Sequence, residues 1–291
     1  MTGSSWLEEV RAVVDTELDR RLPPASAEPR PLYQALRYAL LAPGKRFRPA
    51  VVMAAARWLG LSTDGMLPAA LAVELIHTYS LIHDDLPAMD NDDLRRGRPT
   101  LHRALSEDVA ILAGDALQPM AFELLTECAA PPERRVEALR VLARAAGPAG
   151  LVGGQVRDLH PARGAGEVGT EDLLTLHREK TGALLTAAAV LPAVLAGDAE
   201  AVARLTRYGQ AVGLAFQITD DMLDVTGNQL LMGKATGRDA RQGKTTFVSL
   251  HGIDGAQVMA RQELAVALSQ VDGSSADTLH ALATFVVERD R

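Results

Sequence analysis

The sequence predicts an all-α fold, and three observations support this prediction. Alanine and leucine, which lead the helix propensity scale, are abundant, while aromatic residues make up only 4% of the chain. Apolar residues recur at helical spacing over long stretches, and no alternating strand pattern of useful length appears. Because the chain has 291 residues without a long linker or an internal repeat, we expect one domain spanning residues 1–291.

Three stretches carry the helical pattern most clearly. They are residues 71–85, 172–195 and 199–225. Several are apolar on more than one face, which favours central helices of a large bundle. Proline and glycine predict breaks between helices at residues 23–24, 60–68 and 131–132. Thr170 is the predicted N-cap of the second stretch, with Asp172 in its first turn.

The composition limits the classes of function that the chain can have. A net charge of −7 disfavours a general nucleic-acid binder, which needs a basic balance or a basic stripe. Cys128 is the single cysteine, so no intrachain disulfide can form. The first residues lack a basic segment followed by an apolar one, so we expect no signal peptide and a cytoplasmic protein. The longest uncharged stretch, residues 181–197, is alanine-rich and contains Pro192, which favours a buried core helix over a membrane span.

A first acidic cluster ends the helix predicted at residues 71–85. Asp84, Asp85 and Asp90 are its candidate metal ligands. Mg²⁺ is the candidate cation, because it takes one or two carboxylates and completes its shell with waters and substrate phosphates. On an ideal helix Asp84 and Asp90 would lie roughly 120° apart, so Pro87 must end or distort the helix before they can converge. Alone, the cluster is explained equally well as a solvated acidic loop.

A second acidic cluster lies inside a long apolar helical pattern. It contains Asp220, Asp221 and Asp224. Asp220 and Asp224 are four residues apart and therefore share a helix face. Apolar residues surround these acids closely in the sequence, and buried carboxylates without partners would be costly. The pattern favours a second metal site over an exposed helix face.

Two cationic segments could bind an anion. The first spans residues 44–49 and contains Lys45, Arg46 and Arg48 next to Gly44. Arginine offers bidentate donors to a diphosphate and lysine a compact charge, although alone this segment is better explained as an ordinary basic loop. The second, residues 94–100, directly follows the first acids. A nucleic-acid patch is the alternative there, and the net charge and the lack of interleaved aromatic residues disfavour it.

In this order and spacing, the motifs resemble those of the trans-isoprenyl diphosphate synthases (the polyprenyl synthetase family), most closely the bacterial farnesyl diphosphate synthases. The resemblance runs from about residue 31 to residue 250. It rests on residues 44–49, 83–100, 153–155, 180–182 and 216–224. It implies an isoprenoid synthase-type helical bundle around a deep central cavity, and a homodimer without a membrane span or a nucleic-acid partner.

The resemblance also implies a role for each candidate residue. Mg²⁺, three ions per site with substrate bound, is held by Asp84, Asp85, Asp90, Asp220, Asp221 and Asp224. The allylic diphosphate contacts Arg95, Lys180, Lys234 and Lys244. Isopentenyl diphosphate is held by Gly44, Lys45, Arg48, His77 and Arg96. The reacting carbon chain contacts Thr181 and Gln217. These two residues complete the implied catalytic set, which also contains Lys180, Asp84, Asp85, Asp90, Asp220 and Asp221.

The implied reaction condenses isopentenyl diphosphate head-to-tail with dimethylallyl and geranyl diphosphates, giving (2E,6E)-farnesyl diphosphate by ionisation, condensation and elimination. Tyr79 and Ser80 lie about one turn before Asp84. In bacterial farnesyl synthases, a fifteen-carbon product accompanies an aromatic residue at the Tyr79 position and a first motif that is two residues longer than in other relatives. Both features are present in this sequence. A geranylgeranyl diphosphate synthase is the alternative. A terpene cyclase is disfavoured by the second acidic motif, and a non-enzymatic helical binding protein would not bind diphosphate in an Mg²⁺-dependent way.

Overall fold

The computed structural model describes residues 2–160, 169–226 and 244–289, and within them the chain is mostly α-helical. In chain order the helices are α1 (Gly3–Arg21), α2 (Arg30–Leu40), α3 (Phe47–Trp58), α4 (Thr63–Asp84), α5 (Leu101–Ala104), α6 (Glu107–Thr126), α7 (Pro132–Ala146), α8 (Leu151–Leu159), α9 (Thr170–His177), α10 (Ala183–Ala196), α11 (Ala199–Thr226), α12 (Phe247–Gln270) and α13 (Asp277–Glu288). Strands β1 (Leu94–Arg95) and β2 (Arg98–Pro99) form a short antiparallel hairpin, and Arg178–Gly182 form a π-helical turn. The predicted all-α fold is confirmed.

The core lies where α3, α4, α10 and α11 pack against one another. These helices are rich in apolar side chains, and a helix that is apolar on every face is stable only when other helices surround it. Leu191 of α10 and Leu205 of α11 are fully buried, and each such side chain contributes roughly 1.5–3 kcal/mol. The uncharged stretch at residues 181–197 is thus a buried core helix, as predicted.

Two predicted helix boundaries were wrong in detail. The break at residues 60–68 ends early, because the Ser62 side chain accepts a hydrogen bond from the Gly65 N–H and α4 begins at Thr63, with Pro68 inside the helix. Thr170 is not the N-cap of α9. Instead, the Asp172 carboxylate accepts a hydrogen bond from the Gly169 N–H, which satisfies a donor at the start of the helix.

Three of the described helical stretches are long and apolar enough, by length and composition alone, to cross a membrane. They are Thr63–Asp84, Glu107–Thr126 and Thr170–Ala196. In the first and third, 72% and 67% of the most apolar window is buried inside the protein, against 39% in the second. The first and third therefore supply the core, whereas α6 leaves Ile111 and Leu112 exposed.

Candidate active site

The first acidic cluster forms where α4 ends. The helix stops at Asp84, Pro87 follows in a turn, and the Asp90 backbone N–H donates to the Asp84 carbonyl at 2.9 Å. The chain therefore curls back and brings the two aspartates together, as the spacing required. Burial, and then the charge of Asp90, raise the pKa of Asp84 to about 6, while the Lys180 ammonium opposes this shift. Because ionisation of Asp84 costs free energy in this environment, a bound cation would stabilise its carboxylate.

Asp85 is placed differently from its neighbour. Its carboxylate is 4% exposed and accepts three hydrogen bonds from the Arg95 guanidinium, at 2.6, 2.8 and 3.0 Å. Arg95 also lies 3.9 Å from Asp92. Asp85 and Arg95, predicted as a metal ligand and a diphosphate donor, thus form one bidentate ion pair that fixes the hairpin against the end of α4.

The hairpin brings Arg96 to the first cationic segment. Arg96 adopts a left-handed backbone conformation, with φ 53°, and its Nη1 donates to the Pro43 carbonyl at 2.7 Å. A Cβ on Gly44 would lie 2.5 Å from that Nη1, so a larger residue at position 44 would shift the Arg96 guanidinium from its present place. The two cationic segments, about fifty residues apart in sequence, are therefore in contact.

The cations of residues 44–49 point in different directions. Arg46 is buried and bonds the Glu74 carboxylate at 2.8 Å, the Asp15 carboxylate at 2.7 Å and two backbone carbonyls of the α2 end. Lys45 is exposed, with its Nζ 5.5 Å from the centre of the Phe285 ring. Arg46 thus fixes the loop from inside.

Arg48, His77 and Arg96 form a group of mutually interacting cationic and titratable side chains. Burial lowers the pKa of Arg48 to about 10, with a further contribution from Arg96. Burial, followed by the charges of Arg48 and Arg96, holds the pKa of His77 well below its ordinary value, so its imidazole is neutral. An open pocket between α2, α4 and the hairpin is lined by both His77 and Arg96. The predicted isopentenyl diphosphate residues are thus largely gathered in one place.

The second acidic cluster lies near the end of α11. Asp220 and Asp224 are partly exposed on one face of the helix. Asp221 is 4% exposed, and its carboxylate accepts a hydrogen bond from the Phe247 backbone N–H at 2.8 Å. The Asp221 carboxylate satisfies a backbone donor at the start of α12, and its negative charge interacts favourably with the positive end of the helix dipole. Asp221 therefore joins α11 to α12.

Arg289, near the end of the chain, lies against the second acidic cluster. Its Nη2 is 2.5 Å from Asp220 Oδ1 and 3.0 Å from the Phe216 carbonyl, and its guanidinium stacks 3.9 Å from the centre of the Phe216 ring. The Arg289 side chain is only 5% exposed. A cation already sits on this carboxylate, so a metal ion that used the same oxygen would displace it. The role of Arg289 was open from the sequence, since a single arginine near the end of the chain gives no sign of its partner.

The π-helical turn carries the third part of the site. π-turns occur often at functional positions. Within it, Thr181 Oγ1 donates to Gln217 Oε1 at 2.9 Å, so the two residues predicted beside the reacting carbon chain are in contact. Lys180 Nζ bonds the Asp158 carboxylate at 2.6 Å, and Lys244 Nζ bonds the same oxygen at 3.0 Å. Lys234, the third predicted lysine, lies outside the described residues.

Asp158 is a residue that the sequence analysis missed. It lies one helical turn after Gln155, the last residue of a motif that had been noted without a role. Burial opposes ionisation, but the Lys180 and Lys244 ammonium groups hold the pKa of Asp158 below its ordinary value. The helical spacing from Gln155 could have placed Asp158 on the same face of a helix. Spacing alone, however, does not identify Lys180 and Lys244 as its partners.

Tyr79 and Ser80 lie on α4 below the first acids. Tyr79 is 5% exposed and packs edge-on against the His83 ring, with 5.8 Å between ring centres. Its buried hydroxyl has no hydrogen-bond partner among the described residues, and burial raises the pKa of Tyr79 to about 12. Ser80 Oγ donates to the His77 carbonyl at 2.8 Å, so the Ser80 hydroxyl is bonded to the backbone of its own helix. Tyr79 is thus the bulky group at this level of α4.

Mg²⁺ fits the chemistry of these donors. In the part of the chain that the structure describes, no three carboxylate, imidazole or thiol side chains gather closely enough to cage an ion by themselves. Mg²⁺ does not need such a cage, because it usually takes one or two carboxylates and fills its octahedron with waters and substrate phosphates. Asp84 with Asp90, and Asp220 with Asp224, are carboxylate pairs of this kind. The Lys180 charge opposes the rise in the pKa of Asp84, and the Asp220 charge opposes the fall in the pKa of Arg48, so each carboxylate pair lies within electrostatic reach of a cation.

Comparison with known proteins identifies relatives across most of the chain. A model of the polyprenyl synthetase family matches residues 29–285. A protein named geranylgeranyl pyrophosphate synthase 7, chloroplastic, from Arabidopsis thaliana is 47% identical over 268 residues, which cover 90% of this chain and 77% of the relative. The chloroplastic geranylgeranyl pyrophosphate synthase of Capsicum annuum is 45% identical over 269 residues, covering 90% and 73%.

Solved structures match the fold over nearly the whole chain. An FPP/GFPP synthase from Zymomonas mobilis superposes with a TM-score of 0.87 at 36% identity, covering 98% of both chains. A geranylgeranyl pyrophosphate synthetase from Pyrococcus horikoshii superposes with a TM-score of 0.89 at 33% identity, covering 99% of this chain and 98% of the other. Similarity at this level extends well beyond a shared helical architecture.

Proposed function

The chain belongs to the polyprenyl synthetase family and is a short-chain prenyltransferase, and we propose that its main product is the C20 compound geranylgeranyl diphosphate. The observation that supports this product is the 44–47% identity to plant proteins that are named geranylgeranyl pyrophosphate synthases, over 90% or more of the chain. This favours the alternative of the sequence analysis over the C15 product that it predicted first. The substrates are isopentenyl diphosphate and the allylic dimethylallyl, geranyl and farnesyl diphosphates.

Each group of site residues has a part in the proposed reaction. Asp84 and Asp90 on one side, and Asp220 and Asp224 on the other, would hold Mg²⁺. When bound, Mg²⁺ would neutralise negative charge on the leaving diphosphate. Lys180 and Lys244 direct ammonium groups at that same diphosphate, which stabilises the charge that develops as the carbon–oxygen bond breaks. Lys234 keeps the same predicted role.

The second substrate is bound by the cationic group around α4. Lys45, Arg48 and Arg96 hold the isopentenyl diphosphate, and the neutral His77 imidazole donates a hydrogen bond without adding charge. The isopentenyl double bond attacks C1 of the allylic cation. Thr181 and Gln217, joined by a 2.9 Å hydrogen bond, present oxygen atoms that favour a nearby positive charge. A proton then leaves the new carbocation for the released diphosphate, and the double bond re-forms.

Asp85 and Asp221 act in the proposal by positioning other groups. Asp85 orients Arg95 through three hydrogen bonds, and Asp221 anchors the first residue of α12. Their carboxylates are nearly inaccessible, with 4% of each residue exposed, which favours structural hydrogen bonds over direct metal contact. We therefore propose Asp84, Asp90, Asp220 and Asp224 as the metal ligands.

A C15 product is the second candidate, and Tyr79 is the observation that favours it. The ring lies five residues before Asp84, which is an axial rise of roughly 7.5 Å along α4. A chain that grows along this helix away from the diphosphate meets a rigid aromatic side chain there. Elongation beyond C15 requires the chain to pass beside the ring.

Replacement of Tyr79 by alanine is expected to lengthen the products. Removal of the ring opens the cavity along α4, so the fraction of products longer than in the wild-type protein should rise at least severalfold. Mass spectrometry of the prenyl products measures this distribution. Tyr208→Phe, which alters a buried tyrosine bonded to the Leu279 carbonyl, is the matched control and should leave the distribution unchanged. An unchanged distribution for Tyr79→Ala would show that Tyr79 does not limit chain length.

The proposed function is tested with the purified protein, Mg²⁺ and isopentenyl diphosphate. Dimethylallyl, geranyl and farnesyl diphosphates are supplied in separate reactions, and products are identified by mass spectrometry. A dominant C20 diphosphate from all three primers supports the proposal. A product that stops at C15, with farnesyl diphosphate left unused, supports the second candidate. Absence of condensation with every primer overturns both.

We also propose a homodimer in the cytoplasm. The exposed apolar side chains of α6, with Ile111 44% and Leu112 58% exposed, suit burial against a second copy of the chain. Sedimentation at micromolar concentration distinguishes a dimer from a monomer, and a monomeric mass would contradict this part of the proposal. The proposed location rests on the single cysteine, Cys128, which is buried and unpaired. The plant relatives differ in being named chloroplastic.

A further inference from the structure

Asp158 is a largely buried carboxylate that the proposed reaction does not use, yet it holds two of the cations that the reaction needs. Its Oδ2 accepts hydrogen bonds from Lys180 Nζ at 2.6 Å and from Lys244 Nζ at 3.0 Å. The Asp158 side chain is 10% exposed. Lys180 belongs to the π-helical turn and Lys244 to the segment before α12, so one carboxylate of α8 connects three separate parts of the chain.

Gly154 makes this connection possible. It lies one turn before Asp158 on α8, directly against the π-helical turn. A Cβ at position 154 would lie 2.3 Å from the Lys180 backbone nitrogen and 2.6 Å from its Cα. Any larger residue would therefore push α8 away from the turn. The close approach at Gly154 sets the distance over which Asp158 can reach the ammonium of Lys180.

The charges around Asp158 leave a cationic site. The carboxylate is ionised at neutral pH, because the two lysines outweigh the effect of its burial. Burial lowers the pKa of the neighbouring His177 to about 4, so this imidazole is neutral and adds no charge. One carboxylate with two ammonium groups carries a net positive charge. The lysines are thus held in place without losing their attraction for an anion.

We propose that Asp158 is a positioning residue for diphosphate departure, which holds Lys180 and Lys244 where they neutralise the leaving group. This inference rests on the proposed prenyltransferase reaction. Donors that are fixed before the reaction stabilise developing charge without reorganising. Without Asp158 the two ammonium groups repel each other, and the charge of Asp84 remains to attract Lys180. Lys180 would then compete with Mg²⁺ for a carboxylate of the first acidic cluster.

Asp158→Asn tests the proposal, because it keeps the shape of the side chain and removes the charge. The expected result is a fall of about 10- to 100-fold in kcat/KM for the allylic diphosphate, comparable to the loss of an outer partner of a metal ligand. The KM for isopentenyl diphosphate should stay within about twofold, since Lys45, Arg48 and Arg96 are untouched. Asp158→Glu keeps the charge and should recover part of the activity.

A matched control lies at the same junction of α8 with the π-helical turn. Glu179 accepts a hydrogen bond from Arg157 at 2.7 Å, and no lysine among the described residues is bonded to it. Glu179→Gln removes a carboxylate one residue from Lys180, and it should leave both kinetic constants unchanged. A loss of activity equal to that of Asp158→Asn would mean that the junction only needs negative charge for its packing.

A double-mutant cycle separates positioning from a purely structural role. With Lys244→Gln already present, one of the two ammonium groups is gone, so Asp158→Asn should cost at least threefold less than it does in the wild type. If Asp158→Asn does not fold, the same cycle is measured with Asp158→Glu. Kinetic constants for Asp158→Asn within twofold of the wild type, fully additive losses, or an equal rise in both KM values would overturn the inference. A wild-type protein that fails to condense its substrates would instead overturn the proposed function.

Discussion

Asp84→Asn is expected to reduce kcat by about 10³-fold, the upper part of the range seen when one preorganised charge-stabilising group is removed. The substitution keeps the volume of the side chain and removes the carboxylate that, with Asp90, is proposed to hold Mg²⁺ at the end of α4. Less neutralisation of the leaving diphosphate raises the barrier to ionisation directly. Product formation under saturating substrates measures the change, and it should not recover at high Mg²⁺ concentration.

The stability of this variant should move in the opposite direction from its activity. Burial and the charge of Asp90 raise the pKa of Asp84 to about 6, so the ionised carboxylate costs free energy in the folded protein at neutral pH. A neutral amide removes that cost, and the unfolding temperature should equal or exceed that of the wild type. Asp64→Asn is the matched control. Asp64 is exposed in the first turn of the same helix, and its replacement should leave kcat unchanged. A kcat for Asp84→Asn within tenfold of the wild type would rule out the proposed metal role.

Features that depend on neighbouring residues in the chain could be predicted from the sequence. Pro87 was expected to end the helix and let Asp90 return to Asp84, and the structure has this geometry, with a 2.9 Å backbone hydrogen bond between the two. The long central helices were predicted from their apolar pattern, because helical periodicity is a local property. The resemblance implied that Thr181 and Gln217 lie beside the same carbon chain, but the hydrogen bond between them joins two distant segments and was not predicted.

Pairings between distant side chains could not be predicted. The acids of each cluster appeared equivalent in the sequence, yet Asp85 binds Arg95 and Asp221 caps α12, while Asp84 and Asp220 remain near the cationic groups. Residue type and spacing define which side chains can form ion pairs, but tertiary packing decides which of them meet. Product length could not be predicted for the same reason. It depends on the depth of a packed cavity, which a single aromatic residue in the sequence does not determine.

Glu74→Ala is expected to destabilise the fold by about 3 kcal/mol or more, because it leaves a buried guanidinium short of a partner. Arg46 and Glu74 are joined at 2.8 Å, and their side chains are 2% and 5% exposed. Asp15, the other carboxylate on Arg46, is 41% exposed and therefore more strongly screened by solvent. Urea unfolding of the two proteins measures the difference. Glu137→Ala, which breaks an exposed pair with Arg140, should change stability by only about 0.5 kcal/mol.

The same substitution should also weaken substrate binding, because Arg46 lies between the two residues that are proposed to hold isopentenyl diphosphate. Arg46 has a left-handed backbone, with φ 49°, and the ion pair with Glu74 holds it in a conformation that is uncommon for arginine. Release of Arg46 lets the loop relax, which shifts Lys45 and carries Arg48 away from His77. The KM for isopentenyl diphosphate should rise severalfold, while the KM for the allylic substrate changes less. A loss of stability without any change in either KM would show that the loop keeps its shape independently of Arg46, and that the buried pair contributes to folding alone.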